Sequence, residues 1–446
     1  MRKILFCNKR IFSLTPVKKW PNSRDYLLNE CANDCSAIKR REIMPPLFKH
    51  PNFVHYWIGQ IASSFAFQML SVGIGWQMYD LTNSPMALGL VGLCQFLPQL
   101  LLTLVVGHVA DHYNRRLICV CTRLSMAMTV GILAYGNMSS TISAEMIYLC
   151  AALLGTARAF EMPANQAILP NLIPNELLSR AVSAIASARE ISVIAGPALG
   201  GLIYLLGPTT LYLSSMTFFF ISCIIMFFLH YNFTVKSKSP ISMTHLLGGI
   251  TFIRGNKVIL GSVSLDMFAV LLGGATALLP IVAKDILHTG PWGLGLLRCS
   301  PALGALLMSI YLARRPIKHS VGKIMFAAVA IFGAATILFG LSENLILSMI
   351  ALVLLGLSDM ISVVIRSTLV QLETPDEMRG RVSAANSVFI GSSNQLGEFE
   401  SGVTAAWFGV VPAIVIGGVG TIAVVGLWMY LFPTLLKRDT LDKEND

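Results

Sequence analysis

The chain of 446 residues is 54% hydrophobic and only 13% charged, whereas soluble domains carry about a quarter of charged residues. This composition excludes an ordinary soluble domain and favours a polytopic membrane protein, because a bilayer solvates apolar faces directly. The net charge of +10 does not indicate a nucleic-acid partner, since residues 1–52 alone hold eleven Lys and Arg against four Asp and Glu.

The basic segment 1–52 is polar and aperiodic, and we interpret it as a cytoplasmic N-terminal tail. Its one short apolar run, residues 4–7, is too short for the hydrophobic region of a signal peptide. Whether residues 1–47 belong to the native protein is left open by the sequence.

Twelve apolar runs follow, each close to the length of about 20 residues that a membrane-spanning helix needs. They predict an all-α membrane protein with twelve transmembrane helices. The predicted spans are 53–79, 86–106, 117–137, 145–163, 181–206, 209–231, 259–283, 292–313, 321–341, 345–366, 382–408 and 411–432.

The distribution of Lys and Arg predicts the orientation of these spans. If both termini are cytoplasmic, 27 of the 33 basic residues lie in cytoplasmic loops and tails, five lie within spans, and only Lys284 lies outside. Positive residues are retained on the cytoplasmic side of membranes, so we expect both termini in the cytoplasm.

An internal repeat at an offset of 201 positions supports two homologous halves. Leu153-Leu154-Gly155 corresponds to Leu354-Leu355-Gly356, and Gly196 and Gly201 correspond to Gly397 and Gly402. We therefore predict six-helix bundles at 53–231 and 259–432, a cytoplasmic linker at 232–258 and a C-terminal tail at 433–446.

The stretch 107–116 is a polar turn between the second and third spans. Gly107 permits close backbone approach, Asp111 suits the positive end of a neighbouring helix, and Arg115 and Arg116 suit the cytoplasmic surface. These four residues resemble the loop signature G-x-x-x-D-R-x-G-R-R of the major facilitator superfamily, with His112 in place of the usual Arg. The resemblance implies a gating loop; the alternative is a topology signal only.

The fifth span contains a run of small residues around a proline, a pattern that allows close helix contact in lipid. It resembles the antiporter motif G-x-x-x-G-P-x-x-G-G, which in the superfamily marks exporters more than importers. The matching positions are Ser192, where the motif has its first glycine, Gly196, Pro197, Gly200 and Gly201. A generic packing face is the alternative.

Charged residues within spans are costly and are functional candidates by default. Asp266 has no basic neighbour in its span, so we predict that it carries protons, with Glu398 and Asp359 as alternatives. Burial of an isolated carboxyl group favours its neutral form, as such a carrier requires. The competing interpretation is a structural ion pair of Asp266 with Arg158, Arg189 or Arg366 from another helix.

Further polar residues in the spans are candidates for substrate binding or charge compensation. Arg158 and Glu161 share one helical face and suit an ion pair, and Asp359 and Arg366 also share a face. The full set of candidates is Arg158, Glu161, Arg189, Glu190, Arg366, Gln60 and Gln68.

Several other classes of protein find no support. A phosphate-cradling Gly-Lys-Ser/Thr loop is missing from the sequence, so we expect no ATP-driven transport. His108 and His112 have a spacing compatible with a metal, but we interpret them as solvated surface residues and predict no metal site. The sequence has no Ser/His/Asp arrangement in a polar domain, so it does not indicate an enzyme.

The run 373–381, Glu373-Thr374-Pro375-Asp376-Glu377-Met378-Arg379-Gly380-Arg381, and the segment 164–170 resemble the enterobactin-exporter and macrolide-efflux branch of the superfamily. The resemblance implies a monomeric transporter in the lipid bilayer of a bacterial inner membrane. It would use the proton gradient, with no cofactor, to export a small molecule such as a siderophore or an amphiphilic drug. Five arginines within spans favour an anionic cargo. A nutrient importer on the same fold and a non-transporting sensor or scaffold are the alternatives.

Overall fold

The computed structural model describes residues 47–230 and 243–441, with side chains left undescribed at 103–105, 107, 108, 110–112, 175, 243–247, 376 and 384. Most of the predicted tail 1–52 and part of the predicted linker therefore lie outside the described residues. The described residues from Pro51 onward form one compact unit, to which the helices below belong.

The first half contains six long helices. They are α1 (Pro51–Thr82), α2 (Pro85–His112), α3 (Arg115–Met138), α4 (Ala144–Ile168), α5 (Asn175–Tyr204) and α6 (Pro208–Phe227). A shorter helix, α7 (Met243–Gly255), lies in the predicted linker. It packs against the long helix Asp376–Phe408 of the second half.

The second half begins with a broken helix. The helix α8 (Lys257–Leu272) is followed by a 3-10 turn (Ala275–Leu278), one α-helical turn (Leu279–Ile281) and a π-helical turn (Val282–Ile286). The remaining helices are α9 (Pro291–Arg314), α10 (Val321–Gly340), α11 (Leu345–Glu373), α12 (Asp376–Phe408), α13 (Val410–Leu431) and the short α14 (Pro433–Leu436).

Side-chain caps and prolines fix where several helices begin. Asn114, Asn256 and Asn344 each accept a hydrogen bond from a backbone N–H in the first turn of α3, α8 and α11, which satisfies donors that the helix leaves free. Pro208 and Pro291 occupy the first position of α6 and α9, where a missing N–H costs nothing.

The predicted loop 107–116 is wrong in its extent. The helix α2 continues to His112, and only Tyr113 and Asn114 separate it from α3. Helices extend beyond the predicted spans at the starts of α5 and α12 as well. Outside the bilayer a helix tolerates polar side chains, so the run of apolar residues ends before the helix does.

The predicted seventh span is also interrupted. Gly273 and Gly274 end α8 where it crosses α12, and a Cβ atom at Gly274 would lie 2.6 Å from the carbonyl oxygen of Gly397. Glycine is needed for so close a backbone approach. The break shifts the π-helical turn, with Lys284 and Asp285, to the end of the bundle.

Within residues 47–230 and 243–441, ten helices are long and apolar enough to cross a membrane. The two long helices outside this set, α4 and α12, carry charged side chains in their middle turns. Large apolar side chains such as Leu206 and Tyr430 are mostly exposed on the molecule's surface, as expected where lipid and not water surrounds them.

Equivalent glycines pack equivalently in the two halves. Gly155 of α4 lies against the backbone of Gln95 in α2, and Gly356 of α11 lies against the backbone of Pro301 in α9. The sequence repeat at an offset of 201 thus corresponds to one helix crossing that occurs twice.

Two further crossings join the halves at the end where α1 ends and α2 begins. Gly201 of α5 faces Gly295 of α9, and Gly402 of α12 faces Gly89 of α2. A Cβ atom at Gly201 would lie 2.5 Å from the carbonyl oxygen of Pro291. Small residues therefore hold the two halves together at this end, which the Lys and Arg distribution predicts to be the outer one.

Candidate functional site

A buried ionic cluster lies in the first half, where α1, α3 and α4 meet. The Nε of Arg123 donates to Glu161 Oε1 at 3.0 Å, and Arg123 also donates to the side chains of Gln60 and Asn165. Arg123 is fully buried, so these acceptors compensate a charge that could not otherwise stay inside the protein.

The expected pairing of Glu161 with Arg158 is therefore wrong. Although the two residues are one turn apart on α4, Glu161 points towards Arg123 of α3. The guanidinium of Arg158 instead lies over the ring of Phe67, 3.7 Å from its centroid. This cation–π contact leaves the edge of the Arg158 guanidinium in the cavities described next.

The first cavity, with a volume of about 210 Å³, lies within the first half. Gln60, Gln68, Arg158 and Glu161 line it, and so does Arg189, an exposed residue. Glu190 is exposed and is not among the lining residues. Of the two neighbours in α5, it is Arg189 that faces the cavity.

The second cavity, about 270 Å³, lies between the halves and shares Phe67, Gln68 and Arg158 with the first. Its polar lining comes from α1, α2, α4, α9 and α12: Gln68, Ser71, Gln95, Gln99, Arg158, Arg298, Gln395 and Glu398. Glu398, predicted as an alternative proton carrier, faces this cavity together with Arg298.

A second ionic cluster lies in the other half. Arg366 Nη2 is 3.2 Å from Asp266 Oδ2, and Ser362 Oγ donates to Asp266 Oδ1 at 3.3 Å. Asp266 is therefore not an isolated acid, and the ion pair with Arg366 that the sequence left open as the competing interpretation is the arrangement observed.

Asp359 lies next to this pair. It lines, with Asp266 and Ser362, a cavity of about 10 Å³, close to the room that one water molecule needs. Arg366 pairs with Asp266 of another helix, and not with Asp359 across two turns of α11; the sequence allowed either. Two nitrogens of Arg366, Nε and Nη1, are buried without a hydrogen-bond acceptor.

The two clusters occupy equivalent places in the repeat. At the offset of 201, Arg158 corresponds to Asp359, Glu161 to Ser362 and Asn165 to Arg366. The fourth helix of each half thus presents the same three positions, with a positive residue replaced by an acid and an acid by a neutral one. Duplication has preserved the sites and diversified their charge.

The gating-loop residues are only partly described. Gly107 and Asp111 lie in α2 with their side chains outside the described set, so the docking role of Asp111 stays a prediction. Arg115 donates to the carbonyl of Ala167 at 3.5 Å and Arg116 to the carbonyl of Leu229 at 2.9 Å. The arginine pair therefore ties α3 to the ends of α4 and α6.

The motif in α5 forms contacts on two sides. Gly196 lies against the side chain of Gln68 and Gly200 against the backbone of Met69, both in α1. The carbonyl of Pro197 and Gly201 face α9 of the other half. Ser192, at the position of the motif's first glycine, is buried and donates to the carbonyl of Ala188 at 2.9 Å.

A polar latch joins α1 to the π-helical turn at the same end as the glycine crossings. Lys284 Nζ lies 2.6 Å from Asp80 Oδ1, and Tyr79 donates to Asp285. In the ranges that the structure describes, no three His, Cys, Asp or Glu side chains come together as metal ligands would.

Three contributors have no individual role in the sequence-based predictions. Arg123 and Arg298 counted there only among the five arginines within spans, and their partners lie on other helices. Gln395 was not among the candidates. A count of buried charges was the available signal, because a fully buried arginine requires an acceptor.

Comparison with known proteins agrees with this architecture. Residues 44–445 match the family described as transmembrane secretion effector. The chain is 25% identical to a staphyloferrin A transporter of Staphylococcus aureus, over 85% of this chain and 93% of that protein. It is 22% identical to macrolide efflux protein A of Streptococcus pyogenes (80% and 90%) and 24% to an enterobactin exporter of Citrobacter koseri (87% and 93%).

Among solved structures, a nucleoside transporter superposes with a TM-score of 0.66 at 16% identity, over 85% of this chain and all of that one. This likeness confirms the predicted major facilitator fold. The resemblance to the efflux branch is likewise confirmed. The chain belongs to the transmembrane secretion effector family of the major facilitator superfamily, and it is a multi-pass membrane transporter and not an enzyme.

Proposed function

We propose that the protein is a proton-coupled exporter of a small organic molecule, a siderophore or an amphiphilic drug, in a bacterial inner membrane. The observation that carries this proposal is the second ionic cluster. There, Asp266 pairs with the guanidinium of Arg366, and a second carboxyl group, that of Asp359, lines the same cavity of about one water molecule.

Charge balance explains how this cluster would carry a proton. The single charge of Arg366 compensates one carboxylate, and Asp266 takes that place at 3.2 Å. A second carboxylate in a dry interior would be uncompensated and costly, so Asp359 holds a proton while the cavity is dry. When the cavity fills with water, Asp359 releases the proton. One proton is thereby linked to each opening and closing.

The helix crossings supply the gate that alternating access requires. The glycine contacts of α5 with α9 and of α2 with α12 close one end, and the Asp80–Lys284 pair lies at the same end. The Lys and Arg distribution assigns this end to the outside, with both termini in the cytoplasm. The cavities beside Arg158 would then receive cargo from the cytoplasm.

Two observations favour export. The motif that resembles the antiporter signature forms the closed crossing, through Pro197 and Gly201. The relatives at 22–25% identity include proteins named for macrolide efflux and enterobactin export. The competing function is import of a nutrient, because a nucleoside transporter shares the fold.

Transport into vesicles of defined orientation tests the proposal. Inverted membrane vesicles containing the protein, acidified inside, should accumulate staphyloferrin A, enterobactin or a macrolide, and a protonophore should abolish the accumulation. Identically prepared vesicles without the protein give the background accumulation. Accumulation of the same molecule in right-side-out vesicles under an inward proton gradient would refute export and show that the protein is an importer.

A further inference from the structure

We propose that the second cavity is a binding site for a carboxylate group, held between Arg158 and Arg298, and that the cargo is an organic anion. This inference rests on the proposed function, since it takes the cargo to occupy these cavities. It narrows the cargo from any small organic molecule to one chemical class.

Arg298 is the first element of the site. Its Nη1 donates to Ser71 Oγ at 2.8 Å, which fixes the guanidinium between α9 and α1. Its Nε is buried and donates to no acceptor in the structure. A buried donor without an acceptor is destabilising, and a planar guanidinium suits a carboxylate, which accepts two parallel hydrogen bonds. The unsatisfied Nε points to a ligand of that kind.

Gln395 supplies a second unsatisfied atom in the same cavity. Its side-chain oxygen is buried without a donor, while Gln68, Gln95 and Gln99 add further amides to the lining. Amides donate and accept, so they suit a molecule that carries hydroxyl or amide groups next to its carboxylate. A purely apolar cargo would leave the oxygen of Gln395 without a donor.

The charges that line the second cavity decide between an anion and a cation. Arg158 and Arg298 line it, and Glu398 is the one acid among its lining residues. Two positive charges therefore face one negative charge. A cationic drug would meet repulsion here.

Arg158 is positioned to complete the site. Its guanidinium stacks on Phe67 at 3.7 Å, and both residues line both cavities. Stacking engages the face of the guanidinium and leaves its N–H groups, which lie in the plane, directed towards the cavity. An anion that bridges Arg158 and Arg298 would contact both halves and so respond to their relative movement.

Calorimetric titration of the purified full chain in lipid nanodiscs tests the site. The probes are citrate, a trianion with a hydroxyl group, and tetraphenylphosphonium, an apolar cation, at equal ionic strength. We expect the protein to bind citrate in preference to the cation. Arg298→Gln and Arg158→Gln should each weaken citrate binding roughly tenfold or more, the loss expected for a hydrogen bond between charged groups.

Arg180→Gln is the matched control, because this exposed arginine of α5 lines neither cavity. It should change citrate affinity by less than about fivefold. Arg298→Lys keeps the charge but not the planar fork, and should give an intermediate affinity. A melting temperature like that of the wild-type protein identifies the variants that are folded.

Three results would overturn the anion site: preference for the cation, no citrate binding, or citrate binding that Arg298→Gln and Arg158→Gln leave intact. The proposed function fails separately. Citrate binding without any proton-dependent transport would refute proton-coupled export and leave the site standing. Proton-driven export of a cation, with citrate excluded, would refute the anion site and leave proton-coupled export standing.

Discussion

Replacing Asp266 with asparagine separates the structural from the coupling role of the second ionic cluster. The substitution removes the carboxylate that pairs with Arg366 while preserving the size of the side chain. Arg366 is 4% exposed and has two further nitrogens without acceptors. The variant therefore leaves a buried and uncompensated positive charge that arginine cannot lose by deprotonation.

The cost follows from the geometry of the pair. At the observed separation of 3.2 Å, two unit charges attract each other by roughly 5 kcal/mol with an effective dielectric constant of about 20. Breaking a buried pair by removal of one partner typically costs about 3–5 kcal/mol. We expect Asp266→Asn to lower the free energy of unfolding by an amount in this range.

The assay is unfolding of the purified protein in mixed micelles with an increasing fraction of sodium dodecyl sulfate, followed by tryptophan fluorescence. Asp359→Asn is the matched control, because it leaves the pair of Asp266 and Arg366 intact, and it should shift the midpoint little. The double variant Asp266→Asn/Arg366→Gln removes both charges and should recover most of the lost stability.

Equal stability of Asp266→Asn and the wild-type protein would refute this reasoning. So would a double variant no more stable than Asp266→Asn alone, since the loss would then not arise from an unpaired Arg366. Either result would restore Asp266 as the leading candidate for the proton carrier.

Two other perturbations address the gate and the C-terminal segment. Gly201→Val places side-chain atoms against the carbonyl of Pro291. It should open the crossing and abolish transport, and labelling of a cysteine at the outer end would detect the opening. Gly391→Ala adds a methyl group in open space and should leave both transport and labelling unchanged. Hydrogen bonding from the backbone of Ser320 lowers the pKa of Asp439 below its ordinary 3.8. The stabilisation that ionised Asp439 gives to its contact with Ser320 is present above the ordinary pKa and is lost as the pH falls through the lowered pKa. Hydrogen exchange at 433–441 should therefore accelerate only below about pH 4. Asp439→Asn should accelerate it at neutral pH.

The helices were largely predictable because a membrane span is a local property of the sequence. A run of apolar residues marks a span wherever it occurs, and caps such as Asn344 mark its beginning. The errors fall where helices continue past the bilayer, as in α2 to His112, or where a backbone contact breaks one, as at Gly273 and Gly274. Neither event leaves a signal in hydropathy.

The ion pairs were not predictable from neighbouring residues. Arg158 and Glu161 share a helical face, but Glu161 pairs with Arg123 on another helix. Asp266 looked isolated because Arg366 is far away in sequence. In both cases the contact depends on how helices pack, and spacing along one helix carries no information about that.

The repeat was the most informative long-range signal. Its offset matched Gly155 with Gly356 and Gly201 with Gly402, and each pair forms equivalent crossings in the structure. Glycines recur because the crossings demand close backbone approach in both halves. The charged positions of the same helices differ between the halves, so the repeat does not reveal their chemistry.

Proton release upon addition of cargo tests proton-coupled export most directly, and Asp359→Asn is the decisive variant. Proteoliposomes would contain either protein, a pH-sensitive dye inside, and staphyloferrin A, enterobactin or a macrolide added outside. We expect cargo-dependent proton movement by the wild-type protein, and its loss in Asp359→Asn with cargo binding, exchange of cargo without a gradient and stability retained. Full proton-coupled transport by Asp359→Asn would contradict the account.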